Sequence, residues 1–247
     1  MHILTRRTLA AAFGLAIAGT ATAQSLQDLA NQVLQQTQGT TAGAGLSNTD
    51  IAAGLRQALA NGTRDAVNQL GRTNGFWGSD RFRIPLPGAV QQISSLLQAA
   101  GYGTQLEQLH LTMNRAAEQA VPLAADVFAQ AVQNLTLDDA RNILNGPQDA
   151  ATQYFKRTTS ATLTSKFEPV VAKITSKIGL VQNYNALLAS AGPAATMLGG
   201  QSTDINAYVT RKALDGLYAR VADEEKSIRT DPAARTTELL KKVFSSN

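Results

Sequence analysis

From Ile51 onward, apolar and small residues return every three or four positions, at Ile51, Leu55, Ala58, Gly62, Ala66 and Leu70. That is the period of a helix turning one face to a core. Ser47 and Asp50, three apart at the head of the run, predict an N-cap with a capping box. Gly54 and Gly62 weaken an isolated helix, so their presence predicts close approach by a neighbouring helix. The same period recurs downstream. Pro87 suits the first turn of a helix that reaches Ala100 and stops at Gly101. A long pattern covers residues 104–135, with a kink or break at Pro122. Thr136 and Asp139 begin another helix, which ends at Asn145-Gly146-Pro147. Helical stretches follow over residues 148–158, 160–178 (interrupted by Pro169) and 180–191. A Gly/Pro/Ser loop spans residues 192–203, and Asp204 caps a long helix to about Arg229. Asp231-Pro232 starts a final helix running to about Phe244. No stretch alternates with a period of two, and no repeat of fixed length occurs. The expected fold is all-α, a compact bundle of about nine or ten helices.

One segment breaks the pattern. In residues 72–87, Asn74-Gly75 marks a turn, and Ile84-Pro85-Leu86-Pro87 is extended because each proline pushes its predecessor out of the α region. Phe76, Trp77 and Phe82 gather aromatic mass there. Burial of those rings across the bundle is favoured over a ligand site, since large aromatics dominate burial energetics.

The N-terminus has a different character. Residues 1–23 carry Arg6 and Arg7, then a short apolar stretch over residues 9–18, then Ala21-Thr22-Ala23. That three-part order is an export signal, with cleavage expected between Ala23 and Gln24 and a periplasmic or secreted product. The paired arginines also suit twin-arginine export, alongside the ordinary secretory route. The apolar run falls short of the roughly 20 residues that span a bilayer, and no later segment is long and apolar enough to do so. Residues 24–45 read as a short amphipathic helix followed by a flexible Gly/Thr/Ala linker. Residues 46–247 form the expected single helical domain.

Composition narrows the chemistry. There is no cysteine, which excludes disulfides, thiol catalysis and iron–sulfur ligation. Of two histidines only His110 survives removal of residues 1–23. Without Arg6 and Arg7 the 22 basic residues become 20 against 18 acidic, a balance of +2. Nucleic-acid binding, which needs a concentrated basic stripe, is not expected.

Several separated stretches resemble one bacterial family. DAATQYFKRTT (residues 149–159), YVTRKALDGLY (208–218) and DPAARTTELLKKVF (231–244) look like the exported proteins catalogued as domain of unknown function 4197. LSNTDIAAGLRQAL (46–59) and IPLP (84–87) are similar to parts of the same domain. The resemblance implies a helical, envelope-associated domain, and it assigns no catalytic residue.

Four groups could carry chemistry. Asp149, Tyr154, Arg157, Thr158 and Thr159 lie where one helix is expected to end and the next to begin, so their hydroxyls and free N–H groups could hold an anion; simple helix capping is the favoured explanation. Asp223, Glu224 and Glu225, near Arg229, Asp231 and Arg235, could feed a cation site, but consecutive helical residues point about 100° apart. An ion-pair network is favoured there, helped by the acid-first spacing of four in Glu225–Arg229 and Asp231–Arg235. His110 shares a helix side with Glu107, Asn114 and Glu118, beside Arg115, and a structural role is favoured over acid–base work. Tyr208, Lys212, Asp215 and Tyr218 share a helix with Val209, Leu214 and Leu217 and could either join helices or line a pocket. No phosphate-loop, dinucleotide, zinc-hydrolase or nucleophile-elbow pattern is present, and no catalytic set, metal site or cofactor is expected. The leading expectation is a non-enzymatic binding or scaffold protein of the bacterial envelope, with an envelope protein or a small apolar ligand as partner. Two alternatives stand beside it: a periplasmic carrier of a lipid-like or other apolar ligand held between helices, and a carboxylate-dependent hydrolase or lyase that brings Asp149 or Glu118 to Lys212.

Overall fold

A computed structural model describes residues 47–177, 180–190 and 204–231. The chain divides after Gly45, and every described residue lies in the second unit. The expected N-terminal signal and linker, the loop at 192–203 and the final helix with Arg235 lie outside the described residues.

The described secondary structure is all helical, as the periodicity predicts. In chain order it comprises α1 (Asn48–Gly71), α2 (Gly88–Gln92), α3 (Ser94–Ala99), α4 (Gly103–Ala120), a 3-10 turn (Val121–Leu123), α5 (Ala124–Gln133), α6 (Leu137–Asn145), α7 (Ala150–Lys177), α8 (Leu180–Ser190) and α9 (Ile205–Thr230). The anticipated capping box forms between Ser47 and Asp50 on α1, and Thr136 and Asp139, expected to begin a helix, form a second on α6. Asp204 caps α9 by accepting from the N–H groups of Asn206 and Ala207. Pro122 sits in the 3-10 turn that separates α4 from α5.

Two boundaries differ from expectation. The stretch after Pro87 is two short helices that meet at Ile93, not one. The break expected between Thr158 and Ser160 is absent, and α7 runs unbroken from Ala150 to Lys177, through Pro169. The hydroxyls of Thr158, Thr159 and Ser160 instead donate to the carbonyls of Tyr154, Phe155 and Lys156, four residues back. Hydroxyl residues that suggest a cap can also bond along the helix they interrupt, and tertiary packing of Phe155, Leu163 and Phe167, all wholly buried, holds the turn in place.

α7 and α9 run antiparallel. Contacts pair Thr152 with Glu225, Thr159 with Tyr218 and Thr175 with Asn206, so numbers rise on one helix as they fall on the other. Phe128 of α5 meets Phe155 and Tyr218 edge-on at centroid distances of 5.1 and 6.2 Å, an arrangement aromatic pairs favour. α1 crosses α9 closely at Gly62, where a Cβ would stand 3.2 Å from that of Glu224.

The aromatic loop over residues 72–87 lies against α4 and α9. Phe76 and Ile84 are buried, with Trp77 and Phe82 half-buried. Asn74 takes a left-handed conformation (φ +67°), which asparagine tolerates better than other side chains. The edge of Phe76 fits over Gly216, where a Cβ would come within 2.7 Å of the ring.

Candidate functional site

The stripe on α4 holds this loop in place. Glu118 is buried, and its Oε1 accepts from the N–H groups of Phe76 (3.1 Å) and Trp77 (3.0 Å). Its Oε2 pairs with Arg115 at 2.6 Å, and Arg115 reaches on to Asn74. One turn back, Asn114 accepts from Ile84 N–H at 2.8 Å and donates to the Ile84 carbonyl at 3.1 Å. His110 Nε2 lies 2.8 Å from the same carbonyl. A carbonyl only accepts, so Nε2 carries the proton. Burial, with Arg83 adding to it, pushes the His110 pKa below its usual range, against the opposing bond to Ile84. His110, Asn114 and Glu118 therefore act together as a clasp on the loop, and Glu107 is exposed away from it.

The acidic run on α9 diverges, as helix geometry requires. Glu225 turns inward and accepts from Ala151 N–H (3.0 Å), Thr152 N–H (2.9 Å) and the Thr152 hydroxyl (2.8 Å). It thereby satisfies free donors at the start of α7. Arg229 pairs with it at 2.9 Å and donates to the Ile143 carbonyl. Asp223 pairs with Arg81 and Arg220, and Glu224 pairs with Arg220. Burial raises the pKa of Glu224 despite that arginine. Among the described residues, no group of three or more metal-ligating side chains could hold a metal ion.

The described residues also line three surface clefts. Tyr154, Arg157, Thr158 and Thr159 do come together, with Asp139 and Asn134, around a cleft of about 400 Å³. They line it from the interior of α7, not from the start of that helix. The Tyr154 hydroxyl donates to the Ala131 carbonyl at 2.8 Å, and burial raises its pKa. The Asp139 carboxyl is held below its usual range, chiefly by its bond from the Thr136 hydroxyl. Asp149 stands apart, exposed, accepting from Gln153.

Lys212 and Asp215, 3.7 Å apart, line a smaller cleft of about 240 Å³ against Arg81, Arg83 and Pro85 of the loop. Tyr208 donates its hydroxyl to the Pro85 carbonyl at 3.0 Å, and burial raises its pKa. It joins α9 to the loop.

The largest of the three is a groove of about 470 Å³ between α7 and α9. Lys156, Ser160, Thr164 and Glu168 form its α7 wall, every fourth residue and hence one stripe of the helix. Ala207, Thr210, Arg211, Leu214, Asp215 and Tyr218 form the wall on α9. Thr210 is 1% exposed, and its hydroxyl oxygen finds no hydrogen-bond partner. Buried polar groups are nearly always satisfied, so such an orphan is informative. Lys156, Glu168 and Arg211 form no ion pair among the described residues. The sequence signal for this wall was the polar four-residue stripe on α7, hidden by the break expected at Thr158–Ser160.

A family model described as a protein of unknown function, DUF4197, matches residues 45–245. No curated protein and no solved structure matches the chain.

Proposed function

We propose that this chain, which belongs to the DUF4197 family, is a non-enzymatic binding protein exported to the bacterial envelope, with its ligand in the groove between α7 and α9. The observation that carries this reading is the unpartnered, buried hydroxyl of Thr210, a residue of the wall of a groove that also presents Lys156, Glu168, Arg211 and Asp215. The volume of the groove is that of ordinary small-molecule sites, about 300–1,000 Å³. The groups best suited to catalysis are committed elsewhere. Glu118 and Glu225 accept from backbone N–H groups and pair with arginines, and the His110 N–H is held by Ile84. Asp149 and Glu118 line neither of the clefts that Asp215 borders, so they do not meet Lys212 there.

An apolar carrier gains less support. Among the described residues, a pocket between Leu55, Leu59, Ile143 and Ile228 measures about 10 Å³, too small for a lipid chain. Leu96, Leu123 and Leu137, the exposed large apolar residues among those described, are single positions on three different elements. Export rests on the order of charged, apolar and small residues in 1–23. Protein recovered from the envelope fraction is expected to begin at Gln24, and a chain still beginning at Met1 would overturn that part.

Native mass spectrometry of the protein from its own envelope fraction tests the binding role, with Thr164→Trp, which fills the groove, run beside it. Extra mass that leaves on denaturation is expected on the wild type and absent from the variant. A bare wild type overturns the binding role, and equal extra mass on both moves the site away from this groove.

A further inference from the structure

We infer that the groove between α7 and α9 takes a short extended peptide with free ends, its ammonium at Glu168 and its carboxylate at Lys156; this rests on the binding role proposed above. The two charges mark the ends of one stripe. Twelve residues of helix separate them, a rise of about 18 Å. An extended chain advances about 3.3–3.6 Å per residue, so about five residues fill that length.

The opposite wall fits the same occupant. The antiparallel register set by Thr159–Tyr218 and Thr175–Asn206 places Thr210 and Arg211 opposite Glu168, with Tyr218 near Ser160 and Lys156. The Lys156 ammonium lies 5.9 Å from the centre of the Tyr218 ring. Between the ends, the Thr164 and Thr210 hydroxyls make no hydrogen bond among the described residues, and each can donate and accept. A peptide backbone offers both N–H and C=O at every step. Rotation of the Thr210 side chain toward the groove would let that backbone satisfy its buried hydroxyl. The Arg211 guanidinium supplies further donors for peptide carbonyls, and Leu214 with Ala207 gives an apolar surface for small side chains.

Other classes use less of the site. An anion would find Lys156 and Arg211 but meet repulsion from Glu168 and Asp215. A neutral sugar would find hydroxyls but no use for opposite charges at the two ends. A chain bearing an ammonium and a carboxylate is complementary to both.

The test titrates the full chain with penta-alanine bearing free termini, followed by amide chemical shifts, and repeats it with the N-acetylated and the C-amidated peptides. Shifts are expected on residues 156–168 and 207–218, and blocking either end is expected to weaken binding about tenfold, as loss of one charged hydrogen bond does. Glu168→Gln is expected to weaken the free peptide about as much as acetylation does, and to leave the acetylated peptide unchanged. Lys156→Ala is expected to do the same with respect to amidation. Both positions are exposed, so the variants keep the fold. Tighter binding by Glu168→Gln, indifference to acetylation, or no binding of penta-alanine by a chain that carries envelope-derived mass would overturn the peptide and leave the groove standing. A chain bare in both experiments overturns the groove itself.

Discussion

Glu118 and Glu225 stand on different helices and do the same work, each placing a buried carboxylate against two backbone N–H groups and an arginine. Removing one partner from a buried, hydrogen-bonded pair costs far more than the pair contributes over an apolar replacement. Glu225→Ala leaves the Ala151 and Thr152 N–H groups facing a void, and is expected to cost about 3–5 kcal/mol in urea unfolding. An unchanged midpoint would mean that those donors find water. His110 supplies a pH dependence. Its folded pKa is lowered, first by burial, so the unfolded chain takes up a proton before the folded one does. Stability is therefore full above the ordinary value of 6.5 and falls as pH drops below it, toward the lower folded pKa. Urea midpoints are expected to decline from pH 7.5 to pH 5.5, and to decline less in His110→Gln, whose amide can still donate to Ile84. Equal slopes in the two proteins would assign the decline to other groups.

At the scale of elements, capping chemistry and tertiary packing compete, and α7 shows which wins. Ser47–Asp50, Thr136–Asp139 and Asp204 each stand before a helix and cap it. Thr158, Thr159 and Ser160 have the same chemistry within an apolar pattern that already continues, and they bond back to their own helix. Pro169 is likewise carried through, although it removes one backbone bond and crowds the preceding turn, at about 3 kcal/mol. It is exposed, so Pro169→Ala introduces no cavity. The substitution is expected to raise stability by about 1–3 kcal/mol, visible as a higher melting temperature. A lower one would show that Pro169 shapes the packing of α7 on α9. The resemblance in 149–159 and 208–218 falls on these two helices, and their antiparallel pairing makes one face of two distant stretches.

For the whole molecule, the described core is closed and the chemistry lies at the surface. Ligand that binds only the folded chain must stabilise it by mass action, about 2.7 kcal/mol at one hundred times its Kd. Penta-alanine at that concentration is expected to raise the urea midpoint of the wild type accordingly and to leave that of Thr164→Trp in place. An equal rise in both would locate binding outside the groove. No described helix is long and apolar enough to cross a membrane.

The sequence by itself determined the all-α class, the family, most helix starts and the inward-facing stripes, because caps, prolines and the 3.6-residue period act over a few neighbouring residues. It also separated the three acids of 223–225, since helix geometry alone makes them diverge. What only the tertiary structure decided was the use of each polar side chain. Glu118 reaches residues 42 and 41 positions away, and Glu225 reaches 74 and 73, separations that no local pattern encodes. The groove likewise exists only once Lys156, Thr164 and Glu168 on α7 face Thr210 and Arg211 on α9, and that register is set by packing between helices, not by the order of residues along either one.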